Sequence, residues 1–388
     1  MKYYTDTYSG IDNIFDNILN KNNKTTLEDS EFAYVQKYHK LNLKELTNIK
    51  YFNNFLDPHN QLCQTGNYCL GNKSEFYNYY LKYYNKKPEY IPKTYTFYSN
   101  NLKNVKNLFN GNIWIVKPTN AFARKGINVI NSYTDLVSWI NQYPKFKEWV
   151  LQEYIQQPLL YNNKKFHIRF YCLGVKDKKG FKSYLYKDGF FYLASMPYSK
   201  LDLNLSRHLT GAKYCHVHQI YPDLERYLTK NQFNNILSQS KKIIIDTMSI
   251  CKEILKCPNK NKLQENGKCF HLFAFDLLPD INGNLHLLEV NNGTVGMETM
   301  NYRPDLCLNN SSKKLHNITI IRSLHNDLID IVTNKNKKTK FSEIKLKNFN
   351  KIEHFTNIVK KNNSLRYSYI LIYSLFIGLI LLIIKKKL

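Results

Sequence analysis

Short runs in which apolar and polar residues alternate dominate the middle of the chain. The clearest run is 165–173, where apolar side chains occupy one face and Lys165, His167 and Arg169 occupy the other, because side chains alternate along a strand. Such runs, separated by turns and helical stretches, are typical of mixed α/β enzymes. The pattern predicts an α/β (α+β) fold, with a basic strand face that lies either at the solvent or against an anion.

A second pattern predicts a β-hairpin with a lysine on each side of its loop. Residues 113–118 form an apolar run that carries Lys117 near its end, and residues 125–130 begin with Lys125. A strand-end ammonium and loop amides together suit the phosphates of a nucleotide. Strand-end lysines are also commonly solvated, and the loop is poor in glycine, so the pattern alone leaves both interpretations open.

A third pattern brings two carboxylates together. The Asn-Gly pair at 282–283 predicts a two-residue hairpin turn, and counting back from it places Asp276 opposite Glu289, with Asn291 on the same face. Opposed carboxylates repel each other and call for a proton or a cation, and oxygen ligands of this kind suit Mg²⁺. The alternative is a bulge at Pro279 that breaks the register and leaves one carboxylate in solvent.

The last apolar run predicts a membrane anchor. Residues 368–384 carry no charge. The length of this run is at the short end of the roughly 17–25 residues that a spanning helix needs. Basic residues flank the run on both sides, and tyrosines stand where interfacial aromatic residues belong. A buried helix of the globular domain is the alternative, but a helix that is apolar on every face and ends in Lys385–Lys387 packs poorly there.

Charge and cysteine content narrow the possible functions only slightly. The net charge of +26 suits an acidic partner such as nucleic acid, anionic lipid or a polyglutamate-like protein tail. The lysines are scattered rather than gathered into one patch with interleaved aromatic residues, so we expect no nucleic-acid binding. The eight cysteines form no closely spaced metal or redox motif, and we expect them to be reduced.

Several segments, taken in order, resemble the successive motifs of the tubulin–tyrosine-ligase-like family, a branch of the ATP-grasp superfamily. These segments are 114–118, 125–127, 152–160, 165–169, 208–210, 275–276 and 288–291. The resemblance implies an ATP-grasp-like fold in which the nucleotide is bound between two β-containing lobes. It divides the chain into an amino-terminal lobe (1–87), an ATP-grasp domain (88–332), a basic Asn/Lys-rich linker (333–366) and a transmembrane anchor with a lysine tail (367–388).

The resemblance also implies a role for each matched residue, with ATP and Mg²⁺ as cofactors. The residues implied to bind ATP are Lys73, Lys117, Lys125, Gln152, Glu153, Tyr154, Ile155 and Lys165. The residues implied to hold Mg²⁺ are Asp276, Glu289 and Asn291, and the residues implied to face the reacting substrate are Arg169 and His167. In such a ligase ATP phosphorylates a carboxylate, and an amine attacks the acyl phosphate to form an amide, with metal and cations around the spreading charge.

The chain departs from the family pattern on the substrate side. The family usually has Asp at the position of His167, Arg at Tyr192 and Asn at Gly211. Altered substrate choice and loss of turnover both fit these changes. The expected function is therefore an ATP-dependent carboxylate-amine ligase, and the alternatives are a catalytically inactive ATP-grasp scaffold at a membrane and a binding module for acidic polymers.

The expected partners follow from the leading function. They are a protein or peptide acceptor, such as tubulin or another acidic tail, a free amino acid, and membrane lipid around the C-terminal helix. We expect a single-pass membrane protein whose catalytic domain faces the cytosol.

The predicted anchor can be tested by fractionation. A fragment that ends at residue 363 should stay in the supernatant, whereas the full chain should sediment with membranes and resist extraction by salt and carbonate. The reason is that an inserted apolar helix is held far more strongly than a peripheral basic contact. Immunoblots of the fractions measure this, and release of the full chain by carbonate would show that the run does not span.

Overall fold

The computed structural model describes residues 1–6, 9–35, 48–56, 70–121, 124–211, 217–258, 267–291 and 311–349. Strands and helices are mixed along this part of the chain, which confirms the α/β (α+β) class. Within it, no helix combines the length and the apolar character needed to cross a membrane. The predicted anchor at 367–388 lies outside the described residues.

Strands outnumber helices in the described residues. The strands are β1 (Tyr3–Asp6), β2 (Phe32–Val35), β3 (Tyr51–Phe52), β4 (Thr94–Tyr98), β5 (Trp114–Pro118), β6 (Asn128–Ile130), β7 (Glu148–Glu153), β8 (Leu160–Tyr161), β9 (Lys164–Asp177), β10 (Gly180–Leu193), β11 (Val217–Gln219), β12 (Lys268–Pro279), β13 (Leu285–Asn291) and β14 (Phe341–Ile344). The helices are α1 (Ser9–Leu19), α2 (Lys73–Tyr84), α3 (Tyr133–Asn141), α4 (Leu205–His208), α5 (Glu225–Tyr227), α6 (Lys230–Ile254) and α7 (Ser311–Val332).

The larger of two sheets contains ten strands. Its main path runs β1-β2-β3-β12-β9-β10-β11, with β13 beside β12, β14 beside β10 and β8 beside β9. The amino-terminal strands pair in parallel, and β3 joins β12. The predicted domain boundary at residue 87 therefore does not coincide with a break in this sheet, because segments on both sides of it supply strands.

Helices pack on both faces of the larger sheet. The alternation along β9 directs Ile168 and Phe170 into a core shared with α2 and α6, and Tyr171 and Leu173 into a core shared with α1 and α7. This confirms the predicted two-faced strand. The basic side chains of β9 lie on the same face as Tyr171, nearer the amino end of the strand.

The smaller sheet has four strands in the order β4-β7-β5-β6. Val116 of β5 lies opposite Asn128 of β6 in an antiparallel pair, which confirms the predicted hairpin. The second strand begins later than predicted, because residues 125–127 belong to the turn. Trp114 and Trp149 are buried in the core of this sheet, against α3.

The hairpin of β12 and β13 confirms the register predicted at the carboxylates but not at the turn. Asp276 is paired with Glu289. Nearer the turn Pro279 is paired with Leu285, one step away from the predicted register, and a bulge next to Asp276 restores it. The turn after Pro279 is wider than predicted. Asp280 stabilises it by accepting hydrogen bonds from the backbone amides of Asn282 and Asn284.

The predicted linker at 333–366 is exposed over residues 334–338, but residues 341–349 contain buried side chains. Strand β14 pairs with β10, and the ring of Phe341 is buried against Tyr186, with ring centroids 4.8 Å apart. Beyond β14, Lys347 Nζ lies 2.5 Å from the buried Asp246 carboxylate of α6. The prediction is wrong for this stretch because the Lys/Asn-rich composition conceals a few buried apolar positions; from residue 350 onward the linker lies outside the described residues.

One pair of cysteines also departs from expectation. Cys257, just after α6, and Cys269, in β12, form a disulfide. Cys172 and Cys251 are free and buried. The bonded pair is separated by 12 residues in sequence, and only the fold shows that the end of α6 meets the start of β12.

Candidate active site

A pocket lies between the two sheets, and side chains from both of them line it. The lining residues are Ile115, Lys117, Arg124, Ile127, Gln152, Glu153, Tyr154, Ile155, Lys165, His167, His208, Leu209, Thr210, Asp276, Leu278, Leu288 and Glu289. Most of the residues predicted to serve a nucleotide and a metal therefore share one pocket. Their roles stay predictions, and the structure supplies their positions.

Lys117 is buried on the wall formed by the smaller sheet. Strand β5 presents it beside β7, where its Nζ donates a hydrogen bond of 2.8 Å to Gln152 Oε1. The amide of Gln152 is held in turn by Thr94 and Tyr77. Burial lowers the pKa of Lys117 to about 8, although the negative charge of Glu289 raises it in part.

Lys165 is buried on the opposite wall, on β9. Its Nζ donates to the hydroxyl of Tyr154 over 2.8 Å and lies 4.1 Å from the centroid of that ring. Tyr154 contacts His208 Nδ1 at 2.7 Å, and His208 Nε2 lies 2.7 Å from the carbonyl oxygen of Asp202. Because a carbonyl only accepts, His208 carries its proton on Nε2, and the hydrogen bonds run in one direction from Lys165 to Asp202. Burial, and then the charge of Lys117, lower the pKa of Lys165 to about 7.

Two ammonium groups in one buried pocket indicate an anionic ligand. Each loses hydration on burial, and each is held by a neutral oxygen rather than by a direct ion pair. A phosphate between them would restore the favourable charge interaction that burial removes. The donor set of this pocket therefore fits nucleotide phosphates.

The loop after β5 is placed differently from prediction. Lys125 is exposed on the turn and does not line the pocket, whereas its neighbour Arg124 does. Arg124 has a positive φ of 61° and donates to the carbonyl oxygen of Gly211 over 2.7 Å. The sequence carries no clear signal for Arg124, since it is the left-handed backbone that turns its side chain inward.

Lys73 approaches the same loop from α2. Asn72 caps this helix by accepting hydrogen bonds from the amides of Ser74 and Glu75. Lys73 Nζ donates to the carbonyl oxygen of Ala121 over 3.1 Å. Lys73 therefore lies at the loop but does not line the pocket in this arrangement.

The segment from Gln152 to Ile155 lines the pocket at the end of β7. The backbone amides of Glu153 and Tyr154 are engaged by the carbonyl oxygens of Lys93 and Ile113. This segment thus joins the connector before β4 to the edge of the smaller sheet.

The predicted metal ligands converge on the wall formed by the larger sheet, where Asp276 and Glu289 line the pocket and Asn291 contacts both of them from beside it. Arg169 donates to both oxygens of Asp276, with each distance 2.7 Å. Asn291 Nδ2 lies 3.0 Å from Asp276 Oδ2 and 3.5 Å from Glu289 Oε1. The two-pronged ion pair offsets the charge of Asp276 in a buried place, where an unpaired carboxylate would be costly.

Few side chains at this place could bind a metal ion. Within the described ranges, no three histidine, cysteine or acidic side chains cluster as a metal site. Two carboxylates and the amide of Asn291 on one face nevertheless provide hard oxygen donors of the kind that Mg²⁺ prefers, with phosphate oxygens and water filling the remaining positions. The residues at Asp276 therefore fit the implied metal.

The two departures from the family pattern touch each other. His167 and Tyr192 are cross-strand partners, and their rings stack with centroids 4.9 Å apart. The guanidinium carbon of Arg169 lies 4.9 Å from the centroid of Tyr192. Burial, and then the charge of Arg169, lower the pKa of His167 to about 3, so its ring is neutral near pH 7.

Comparison with known proteins decides the family. The model of the tubulin-tyrosine ligase family matches residues 55–327, which is more than half of the chain. The chain belongs to the tubulin-tyrosine ligase family. The matched range holds every residue predicted for the nucleotide and the metal.

Three relatives are similar to part of the chain. Tubulin glycylase 3F of Tetrahymena thermophila is 28% identical over 200 residues, which cover 46% of this chain and 21% of that protein. The probable tubulin polyglutamylase ttll-9 of Caenorhabditis elegans is 30% identical over 194 residues, covering 47% and 46%. Human tubulin monoglutamylase TTLL4 is 28% identical over 199 residues, covering 46% and 16%. The chain thus spans less than half of the length of these relatives.

The lowered pKa values of the two lysines predict proton uptake on nucleotide binding. Well below about pH 7 both side chains already carry their protons, so Mg·ATP binding should take up none. Above that pH, bound phosphate raises both pKa values, so protons are taken up and the affinity falls as the pH rises. Calorimetry at about pH 8, in two buffers with different heats of ionisation, measures the uptake.

The matched variants are Lys165→Met and Lys164→Met. Lys164 is the neighbouring lysine on β9, and its Nζ contacts Ser195 rather than the pocket. The uptake should fall in Lys165→Met and stay unchanged in Lys164→Met. Binding without proton uptake in the parent protein would contradict the phosphate role of these lysines.

Proposed function

We propose that this protein is an ATP-dependent ligase that joins the amine of an amino acid to a carboxylate of a protein or peptide acceptor. The reaction would proceed through an acyl phosphate, and the ATP-grasp-like pocket between the sheets would hold ATP and Mg²⁺. The acceptor would be tubulin or another acidic tail, as the names of the relatives suggest. Two observations support this function: the chain belongs to the family, and one pocket contains both lysines and carboxylates.

One observation carries the proposal. Lys117 faces the pocket from the smaller sheet, and Lys165, Asp276 and Glu289 face it from the larger sheet. A lysine on each wall, with two carboxylates beside one of them, suits a nucleotide whose phosphates would contact lysine while the carboxylates would hold a metal. A protein that only bound acidic polymers would have no need for two opposed carboxylates, one of them buried.

The residues of this chain would act by binding and orientation. Lys117 and Lys165 would bind phosphate oxygens, and their charge would offset the negative charge that develops during phosphoryl transfer. Asp276, Glu289 and Asn291 would hold the Mg²⁺, which supplies charge neutralisation for the phosphates. Arg169 would keep Asp276 oriented from beside it through two hydrogen bonds.

The membrane tether belongs to the same proposal. The uncharged run at 368–384 supports a single spanning helix in contact with lipid, with the catalytic domain facing the cytosol, where ATP and acidic protein tails are available. Strand β14 pairs with β10, and Lys347 pairs with Asp246 of α6, so the described part of the domain continues to residue 349 and the uncharged run begins at residue 368.

A turnover assay tests the ligase. The full-length protein in detergent should form ADP and modified peptide from labelled ATP, a glutamate-rich peptide and at least one amino acid of a panel, with product only when all three are present. Lys117→Ala should reduce turnover about a hundredfold, the usual loss when a charge-stabilising donor is removed. Lys182→Ala removes an exposed lysine of β10 and serves as the control, with no expected change.

The stacked pair of His167 and Tyr192 favours the inactive scaffold as the competing function, because both replace residues that the family usually has on the substrate side. A scaffold would bind Mg·ATP and show a raised melting temperature, yet form no product with any amino acid. That result would contradict the proposed ligase. Absence of the melting shift as well would contradict the nucleotide site itself.

A further inference from the structure

His167 is held firmly in the wall of the pocket. The residue is only 8% exposed, although it lines the pocket. Its Nδ1 contacts the hydroxyl of Thr210, and its ring stacks on Tyr192 with an angle of 10° between the planes. Gly211, next to Thr210, lies against the same tyrosine, where an added Cβ would come within 3.4 Å of the ring. The imidazole therefore has little freedom to turn.

The other ring nitrogen of His167 is unsatisfied. Nε2 is buried and makes no hydrogen bond. The nearest acidic oxygen, Asp276 Oδ1, is 3.7 Å away, which is too far for a hydrogen bond. A buried polar atom without a partner is destabilising, and such an atom in a pocket wall marks a place where a ligand supplies the missing partner.

The surroundings indicate which kind of ligand group this is. Asp276 does not need the imidazole, because Arg169 and Asn291 already donate to it. Lys117 and Lys165 bring donors for phosphate oxygens to the pocket, whereas His167 adds a ring nitrogen that can accept a hydrogen bond near two carboxylates. A neutral acceptor close to negative charge is complementary to an amine or ammonium group, which has N–H donors and positive charge.

We propose that His167 Nε2 accepts a hydrogen bond from the attacking amine of the amino acid and holds its nitrogen toward the acyl carbon. Nδ1–H donates to Thr210 Oγ1, which leaves the lone pair on Nε2 for the amine. His167 is thus a catalytic residue that contacts substrate as a hydrogen-bond acceptor, whereas the two lysines would bind phosphate as donors. This inference rests on the proposed ligase function.

The step balances without any further reagent. The amine nitrogen forms a bond to the acyl carbon, the bond from that carbon to the phosphate oxygen breaks, and phosphate leaves with the electron pair. The proton that the amine loses goes to the departing phosphate. His167 stays neutral throughout, since it accepts a hydrogen bond and takes no proton.

Two variants of His167 distinguish the role of Nε2 from that of Nδ1. In His167→Gln the longer side chain places its amide oxygen near the position of Nε2 but lacks a group at Nδ1. In His167→Asn the amide can reach Thr210 but not the position of Nε2. The full-length protein is assayed with glycine and with glutamate as the amines, at saturating Mg·ATP and a glutamate-rich peptide.

His167→Asn should lower kcat/KM for the amine by about tenfold to a hundredfold, as expected when a hydrogen bond to a charged group is lost. His167→Gln should retain most of the activity, and both variants should keep the parent's KM for ATP and its melting shift with Mg·ATP. Equal losses in the two variants, or loss of the Mg·ATP shift in either, would overturn the role of Nε2.

A second measurement does not depend on turnover. Nitrogen NMR of ¹⁵N-histidine-labelled protein, with the His167 signals assigned by their absence from His167→Gln, reports which ring nitrogen carries the proton. Nδ1 should be protonated, and addition of glycine with Mg·ADP should shift the Nε2 signal. A proton on Nε2 would overturn the inference whatever the assay shows. Absence of product in the parent protein, with the expected NMR result, would instead contradict the ligase while leaving the amine site supported.

Discussion

The site depends on the burial of two lysine ammonium groups in one pocket. Lys117 and Lys165 lose hydration there, and burial lowers the pKa of each. Neutral oxygens from Gln152 and Tyr154 hold the two side chains in place but do not balance their charge. The balance comes in part from Glu289, which raises the pKa of Lys117, and a bound phosphate would supply the rest. The two sheets place Lys117 on one wall and Lys165 with the two carboxylates on the other, and Asp276 pairs with Arg169 rather than with either lysine.

Strand geometry produces this arrangement. Alternation along β9 places Lys165 and His167 in the pocket lining and Arg169 on the same face against Asp276, while the intervening residues fill the core. The bulge next to Asp276 then matters, because without it the carboxylate of Glu289 would lie on the other face of the hairpin. Arg169 neutralises Asp276 from the side, which keeps two neighbouring carboxylates compatible in a place with little water.

The structural features that could be predicted from the sequence are those that follow from local periodicity. The alternation of β9 and the hairpin of β12 and β13 are confirmed. The inward turn of Arg124 could not be predicted, because it follows from a left-handed backbone residue rather than from composition. Strand β14 was missed because only Phe341 and Ile344 are buried in a stretch that otherwise looks solvated. The stacking of His167 on Tyr192 needed the register of two long strands, although each residue alone is visible in the sequence as a departure from the family.

We propose that Asp276 and Glu289 bind a metal-bound nucleotide and do not contribute to the stability of the fold. Melting temperatures of the parent, Glu289→Gln and the surface control Glu343→Gln, each with and without Mg·ATP, test it most directly. The account predicts that Glu289→Gln without ligand is as stable as the parent or slightly more so, since a carboxylate repulsion is removed, yet loses most of the Mg·ATP-dependent shift. Glu343, exposed on β14, should affect neither value. A clear loss of stability in unliganded Glu289→Gln together with a normal Mg·ATP shift would contradict the account.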